Sequence, residues 1–522
     1  MKRSRPRLGA LDEISVAEPS AQRFLVLAIL CLTLLITNLD GTILNVALPT
    51  VVSTLHATSS QLQWVVDSYT MVFAGLLLIA GSLGDHLGRK WVFVGGLAVF
   101  AIGSGASAFS GSPDQLIGAR AFMGIGAAAI MPSTLSILTN VFTEPTERAR
   151  AIGLWSGTSG LGLAIGPVVG GWLLAHYWWG SVFLINIPIA VATSVAALVI
   201  VPNSFNTNAK RPDLVGAGCS LLGVALLLWG IIEAPVWGWT SPKIIAAIAG
   251  AAVIAFVFVT WERRTKHPLL DLSFFESRRF SVAIAGLGLV LFALSGALFL
   301  LTQYLQFCLG YTALQAGLRI VPIAAVLLVV ASLSSFAVRL AGTKVVVLCG
   351  TVLITLGLAL LSTVTIHSTY ANALPAFFLL GIGTGLAIAP CTEAVMGSVP
   401  KERAGVGSAT NSTSLQIGSA LGVAVLGSLL STRYHADMRV LFGHNAVPAP
   451  VARTALGSIG GALEVAKHVD ATLGTQLANA ARQSYVSGMV FAVSVAAGIA
   501  AVASIVVATF LPARAPDDES VK

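Results

Sequence analysis

The chain has 522 residues, of which 56% are apolar (AVILMFWYC) and only 10% are charged. Soluble domains carry about 25% charged residues, so this composition cannot coat the three or four globular domains that the length would allow. A mean hydropathy of +0.87 points to a bilayer as solvent, which excludes a secreted disulfide scaffold, a nucleic-acid binder and an ordinary cytosolic enzyme, and leaves the net charge of +8 to be explained by something other than a polyanion.

A helix that satisfies its own backbone hydrogen bonds crosses a bilayer in about 20 apolar residues. The sequence predicts fourteen such stretches, at 24–48, 62–83, 91–111, 115–140, 151–175, 181–202, 214–234, 243–261, 280–303, 312–338, 344–364, 372–397, 404–430 and 486–511. The first lacks a small-residue cleavage site and carries Asp40, so it reads as a retained span, not a signal peptide. Placing both termini in the cytoplasm gathers most Lys and Arg inside, as topology rules require. These are Lys2, Arg3, Arg5, Arg7 and Arg23 in the N-terminal tail, and Arg514 and Lys522 in the C-terminal one. Between them come Arg89 and Lys90; Arg148 and Arg150; Lys210 and Arg211; Arg263, Arg264, Lys266, Arg278 and Arg279; Arg339 and Lys344; Lys401 and Arg403. The positive charge is therefore read as a topology signal. Trp64, Trp178, Trp179, Trp237 and Trp239 fall at predicted outer edges and Trp91 and Trp261 at inner ones, the positions of interfacial anchors. Five scattered cysteines without a Cys/His cluster give no metal or redox site.

Two distant segments repeat. Span 4 reads GIGAAAIMPST (124–134) followed by PTERA (145–149), and span 12 reads GIGTGLAIAPCT (381–392) followed by PKERA (400–404). The copies lie eight spans apart, the spacing of a parallel six-span duplication with two spans inserted between the halves. The expected organisation is a tail (1–23), a six-helix bundle (24–202), a linker with two inserted helices (203–279), a second six-helix bundle (280–511) and a tail (512–522). The long loop 431–485, with an amphipathic helix around 460–484, lies on the outer side.

Ionisable groups inside spans cost several kcal/mol unless they face a cavity or a partner. Asp40 lies nine residues before Pro49, about 14 Å from the outer end of span 1 at 1.5 Å per residue. Asp67 and Arg120 sit about 8 Å inside spans 2 and 4 by the same rise. Two carboxylates and a guanidinium thus share the outer half of one bundle. A carboxylate that leaves Arg on binding a proton makes a proton-coupled switch, whereas a permanently paired one only fixes packing. Arg319, about 12 Å into span 10, faces the cavity or reaches back to the outer headgroups. Glu393 is placed near the inner end of span 12. The polar run Thr410–Gln416 in span 13, with Asn411, Ser412 and Gln416, must face protein or water. Arg319, Glu393, Asn411, Ser412 and Gln416 are the candidate cavity wall.

These motifs resemble the major facilitator superfamily, and specifically its fourteen-span drug:proton antiporters of the quaternary-ammonium-exporter type. The resemblance rests on LDGTILNVALP (39–49), WVVDSY (64–69), GSLGDHLGRK (81–90), ARAFMGIGAA (119–128), GLAIGPVVGG (162–171) and FLINIPI (183–189). It implies an all-α polytopic fold of two six-helix bundles plus two inserted helices. It also implies proton-coupled export of small amphiphilic drugs or antibiotics across the inner cell membrane, driven by the proton-motive force without a cofactor. Partners are then protons, cargo and lipid, with no nucleic acid, and the working unit is a monomer. Asp40, Asp67 and Arg120 become proton-coupling residues. Gly81, Asp85, Gly88, Arg89 and Lys90 become a conformational latch, and Gly162, Gly166, Pro167, Gly170 and Gly171 the antiporter motif.

The dication-exporting branch places acids in spans 10 and 13, where this chain has Arg319 and an uncharged polar run. Neutral, zwitterionic or weakly acidic cargo is therefore expected at least as much as dications. A proton-coupled carrier of an endogenous metabolite uses the same fold and is the alternative. A membrane receptor or enzyme is disfavoured, because the sequence has no Asp-rich metal motif, P-loop, G-x-S-x-G elbow or sizeable soluble domain.

Overall fold

The computed structural model describes residues 20–205, 213–265, 268–400, 404–444 and 449–512. Lys2, Arg3, Arg5, Arg7, Lys210, Arg211, Lys266, Lys401, Arg403, Arg514 and Lys522 lie outside the described residues, and with them most of the second P-x-E-R-A copy.

Regular structure among the described residues is helical throughout. The first six spans are α1 (Ser20–Leu55), α2 (Ser59–Leu87), α3 (Arg89–Ala108), α4 (Pro113–Val141), α5 (Pro145–His176) and a broken sixth, α6 (Ser181–Leu184) with α7 (Asn186–Ile200). The inserted pair is α8 (Leu214–Trp237) and α9 (Pro242–Arg264). Then come α10 (Arg278–Gln303), α11 (Ala313–Ala341), α12 (Thr343–Leu361), α13 (Tyr370–Gly397), α14 (Ala404–His444), two short helices α15 (Ala449–Gly457) and α16 (Ile459–Ala466), and α17 (Ala471–Phe510). Among the described residues thirteen helices are long and apolar enough to cross a membrane, and a fourteenth is α2, bent by 55° between Ser59–Leu77 and Ile79–Leu87. The apolar runs and the helices thus agree in number.

Local sequence starts these helices where they begin. Thr58 and Gln61 form a capping box on α2, and Thr312 and Gln315 form one on α11. Each satisfies two backbone N–H groups that would otherwise be stranded at a helix start. Ser112 caps α4 with Pro113 in the first turn, where its missing N–H costs nothing.

The long loop is more helical than its composition suggests. Helix α14 continues to His444 and α17 starts at Ala471, well inside the expected 431–485 loop. The single amphipathic helix expected around 460–484 is instead two, because the Asp470 side chain accepts from Thr472 N and begins a new helix there. Two expected anchors are also not purely interfacial. Trp179 is buried with its ring edge-on to Phe183, and Trp64 turns inward to donate to Glu233 Oε1 on α8. Helix-edge tryptophans that meet a neighbouring helix gain more from packing than from the interface.

The two halves carry matching contacts. A Cβ on Gly126 would lie 2.6 Å from Phe100 N on α3, and one on Gly383 would lie 2.6 Å from Gly350 O on α12. Gly124 abuts Tyr69 O on α2, and Gly381 abuts Ile323 O on α11. The G-I-G pairs therefore let α4 and α13 approach equivalent neighbours closely, as small residues do in membrane helix packing. The tight turns match too: Gly88 joins α2 to α3 at φ 99°, and Gly342 joins α11 to α12 at φ 83°, backbone conformations that side chains disfavour.

Contacts between the halves gather at the end that carries α15 and α16. Gln306 Nε2 donates to Val46 O, Ser428 lies against Gln63, and Ser458 Oγ donates to Ala57 O. Along α5, Gly171 abuts Leu314 and Gly160 abuts Leu328 of α11, whereas Gly157 and Gly153, further toward the α2–α3 turn, face open space. The inserted α8 lies over the seam between α2 and α14, with Leu228 and Ile232 packed on Ala420 and Ala424.

Candidate functional site

Asp40 on α1 and Arg120 on α4 are both fully buried, at 0% and 1% exposure, and form a direct ion pair between Asp40 Oδ2 and Arg120 Nη1. The other carboxylate oxygen, Oδ1, accepts from Asn186 Nδ2 at 2.9 Å. The same amide donates to Ser104 Oγ at 3.1 Å, and the Ser104 hydroxyl in turn donates to Phe183 O at 2.7 Å. Arg120 Nε donates to Val65 O at 3.2 Å, and its guanidinium lies 4.3 Å from the centroid of the Tyr69 ring. The pair is thus held by α1, α2, α3, α4, α6 and α7 together. Burial of opposite charges is tolerable only with such additional hydrogen bonds.

Asp67 stands apart from that pair. It is completely buried, and neither carboxylate oxygen has a hydrogen-bond partner. It lies one turn from both Trp64 and Met71 on the side of α2 that packs on α8 and α14. The two acids therefore occupy different surroundings: one is matched by a cation, the other sits in an apolar seam.

In the α2–α3 turn, Asp85 Oδ1 accepts from Arg89 Nε at 3.0 Å and Nη2 at 2.9 Å. Arg89 Nη1 reaches Ser136 O on α4, and Lys90 Nζ donates to Leu198 O on α7 at 2.7 Å. Gly81 lies beside Pro132, and a Cβ on Gly88 would strike the Asn203 amide. These contacts tie the turn to its own half and to the start of the linker.

The 162–171 glycines have two directions. Gly162, Gly166 and Gly170 face α1 at Asn38, Thr42 and Ile43, so α5 lies flush on the helix that carries Asp40. Gly171 and the carbonyl of Pro167 face α11, at Leu314 and Gly317. Pro167 also removes one backbone donor within α5, which allows bending there. One motif therefore contacts both halves at once.

Between the halves lies a cavity of about 20 Å³, lined by Thr42, Asn45 and Val46 of α1, Leu163 and Pro167 of α5, Leu294, Leu298 and Thr302 of α10, and Ile320, Ile323 and Ala324 of α11. It has room for about one water. The Thr42 and Thr302 hydroxyls donate to backbone carbonyls, and Asn45 Oδ1 is buried without a donor. Arg319, Glu393, Asn411, Ser412 and Gln416 do not line this small cavity. Arg319 stacks on Tyr311 near the start of α11, because its long side chain reaches the helix end. Glu393 is exposed, as a charge near a helix end prefers. Asn411 is buried with Oδ1 unpartnered, Ser412 and Gln416 are half-buried, and neighbouring Ser414 Oγ donates to Ile284 O on α10, so part of this polar run serves helix packing.

Asn186, Ser104 and Tyr69 complete the Asp40 cluster without having been singled out by sequence. A signal for Asn186 existed: a lone amide in the apolar run FLINIPI needs a polar partner in the membrane. Ser104 and Tyr69 had no comparable signal.

Comparison with known proteins gives a consistent picture. The model of the Major Facilitator Superfamily matches residues 30–423. Multidrug resistance protein Stp of Mycobacterium tuberculosis is 37% identical over 81% of this chain and 78% of its own length. Multidrug efflux pump LfrA of Mycolicibacterium smegmatis is 32% identical over 94% and 97%, and the tetracenomycin C resistance and export protein of Streptomyces glaucescens 33% identical over 92% and 90%. Among solved structures, a bacterial homolog of the human lysosomal transporter Spinster, in an inward-facing and unoccupied conformation, aligns with a TM-score of 0.66 at 18% identity, over 95% of this chain and 100% of its own.

Proposed function

The chain belongs to the Major Facilitator Superfamily, and from that premise we propose that it is a proton-coupled antiporter exporting amphiphilic drugs or antibiotics across the cell membrane. The relatives named for multidrug efflux and for antibiotic resistance and export support the cargo class. The observation that carries the coupling is the Asp40–Arg120–Asn186 cluster, a carboxylate buried on the helix that also lines the cavity between the halves.

In this reading, residues 24–202 and 280–511 are the two rocking halves, with 203–279 inserted between them and both termini cytoplasmic. Protonation of Asp40 removes the charge that Arg120 and Asn186 hold. Arg120 keeps its contact to Val65 O and its place over the Tyr69 ring, so it has somewhere to rest when the carboxyl is neutral. The pair then no longer ties α1 to α4, and α1 is free to shift against α5 along the Gly162, Gly166 and Gly170 face. Because Gly171 and Pro167 meet α11 on the other side, that shift reaches the second half directly. Asp67, whose buried carboxylate oxygens have no hydrogen-bond partner among the described residues, is the second candidate proton carrier. The proposed latch at the cytoplasmic turn would engage the second half in the opposite phase of the cycle, its Asp85–Arg89 pair staying within the first half in this one. Each proton entering down 100 mV supplies about 2.3 kcal/mol, enough for a cargo gradient of roughly fifty-fold.

The polar run Thr410–Gln416 of α14 carries no acid, which favours uncharged or weakly acidic amphiphiles over dications as cargo. The chain acts as a monomer, since both halves of the pathway belong to it, and no chemical conversion of cargo is involved.

The test is transport in inside-out vesicles. Adding cargo to the wild type should collapse a preformed ΔpH, and Asp40→Asn should abolish that response while the protein remains folded. An Asn variant that still dissipates the gradient would remove Asp40 from the coupling step.

A further inference from the structure

Arg319 is a membrane-embedded cation that, among the described residues, has no carboxylate partner. Of the five N–H donors of its guanidinium, only Nη1 is used, donating to Gln315 O of its own helix at 3.1 Å. Nε is buried without an acceptor. The group is held in place nonetheless. Its central carbon lies 3.8 Å from the centroid of the Tyr311 ring and 5.5 Å from that of Tyr370. Tyr370 is itself fixed, with its hydroxyl donating to Arg319 O at 3.0 Å and its ring edge-on to Phe377. A flat guanidinium on an aromatic face keeps its in-plane donors free for a forked contact with an oxyanion.

The position identifies which oxyanion. Arg319 begins six residues into α11, about 9 Å below the helix start, but Tyr311 precedes that helix, so stacking on it returns the charge to the end of the span. The cavity between the halves is lined from α11 by Ile320, Ile323 and Ala324, whereas Arg319 is turned toward Tyr370 of α13. Leu318 beside it is 51% exposed, as a lipid-facing side chain would be. We infer that Arg319, Tyr311 and Tyr370 form an oxyanion site at headgroup depth, filled by the phosphodiester of an anionic lipid. A free phosphate would offer the same chemistry from solution.

Native mass spectrometry of the full-length protein with added phosphatidylglycerol or phosphatidylcholine separates these sources. The wild type should retain phosphatidylglycerol about tenfold more than Arg319→Gln, the size of one lost charge-assisted contact. Arg319→Lys should be intermediate, because it keeps the charge and loses the fork. Tyr311→Leu, which keeps Arg319 but removes its stack, should also retain less. Delipidated protein melted with inorganic phosphate is the second arm, and a protection lost in Arg319→Gln without any lipid preference assigns the same site to a free anion. Equal phosphatidylglycerol retention and equal phosphate response in folded wild type and Arg319→Gln overturn the site. So does unchanged lipid retention together with selective loss of efflux of a carboxylated drug, since the guanidinium would then serve cargo. The drug-independent readout keeps this outcome separate from that of the Asp40 test.

Discussion

Helices α4 and α13 make the same approach in the two halves, yet differ where the chemistry lies. Four residues before the first glycine of G-I-G, α4 carries Arg120 and α13 carries Phe377, both fully buried. The glycines keep the close contacts in both copies: Gly124 and Gly126 on α2 and α3, Gly381 and Gly383 on α11 and α12. The matched copies therefore keep the packing, and among the described residues the buried ion pair accompanies the first copy alone. An ion pair costs desolvation that a packed aromatic ring does not, so retaining one on a single side points to work done there.

The largest effect expected from this difference is at Arg120. Arg120→Met leaves Asp40 as a buried charge without its cation and should destabilise the protein by about 3–5 kcal/mol, read as a lower melting temperature in detergent. Adding Asp40→Asn should recover much of that stability but no transport. A double variant that melts no higher than Arg120→Met would show that the pair is not what the single change disturbs. By contrast Phe377→Leu, at the equivalent place, should cost less than about 1.5 kcal/mol and leave the ΔpH response intact.

Asn186 comes next. Asn186→Ala removes a hydrogen bond to a charged group, worth about 1.5–3 kcal/mol, and should lower both the melting temperature and the ΔpH response. An unchanged melting temperature and ΔpH response would remove Asn186 from the cluster. A matched pair of substitutions sharpens the equivalence itself: Gly126→Ala and Gly383→Ala each force a methyl against a neighbouring backbone, at about 1–3 kcal/mol. Matched losses of melting temperature in the two variants support the repeat, and a loss confined to one would break it.

Much of this was legible from sequence because lipid leaves a chain few choices. Apolar runs of span length, the Lys/Arg pattern and the G-I-G repeat pointed to the helices and to the duplication without any contact being known. Asp40 and Arg120 stood out because charges are scarce in such runs. The separation of Asp67 from them was not legible, since depth along a helix says nothing about which neighbour a side chain faces. The same gap concealed Asn186 and Ser104.

By itself the sequence determined how many helices are long and apolar enough to span and which segments repeat, since these follow from hydropathy and glycine spacing along one chain. Tertiary structure decided which acid meets a cation and which is left without one, because that depends on helix rotation and on the inserted α8 covering the seam beside Asp67.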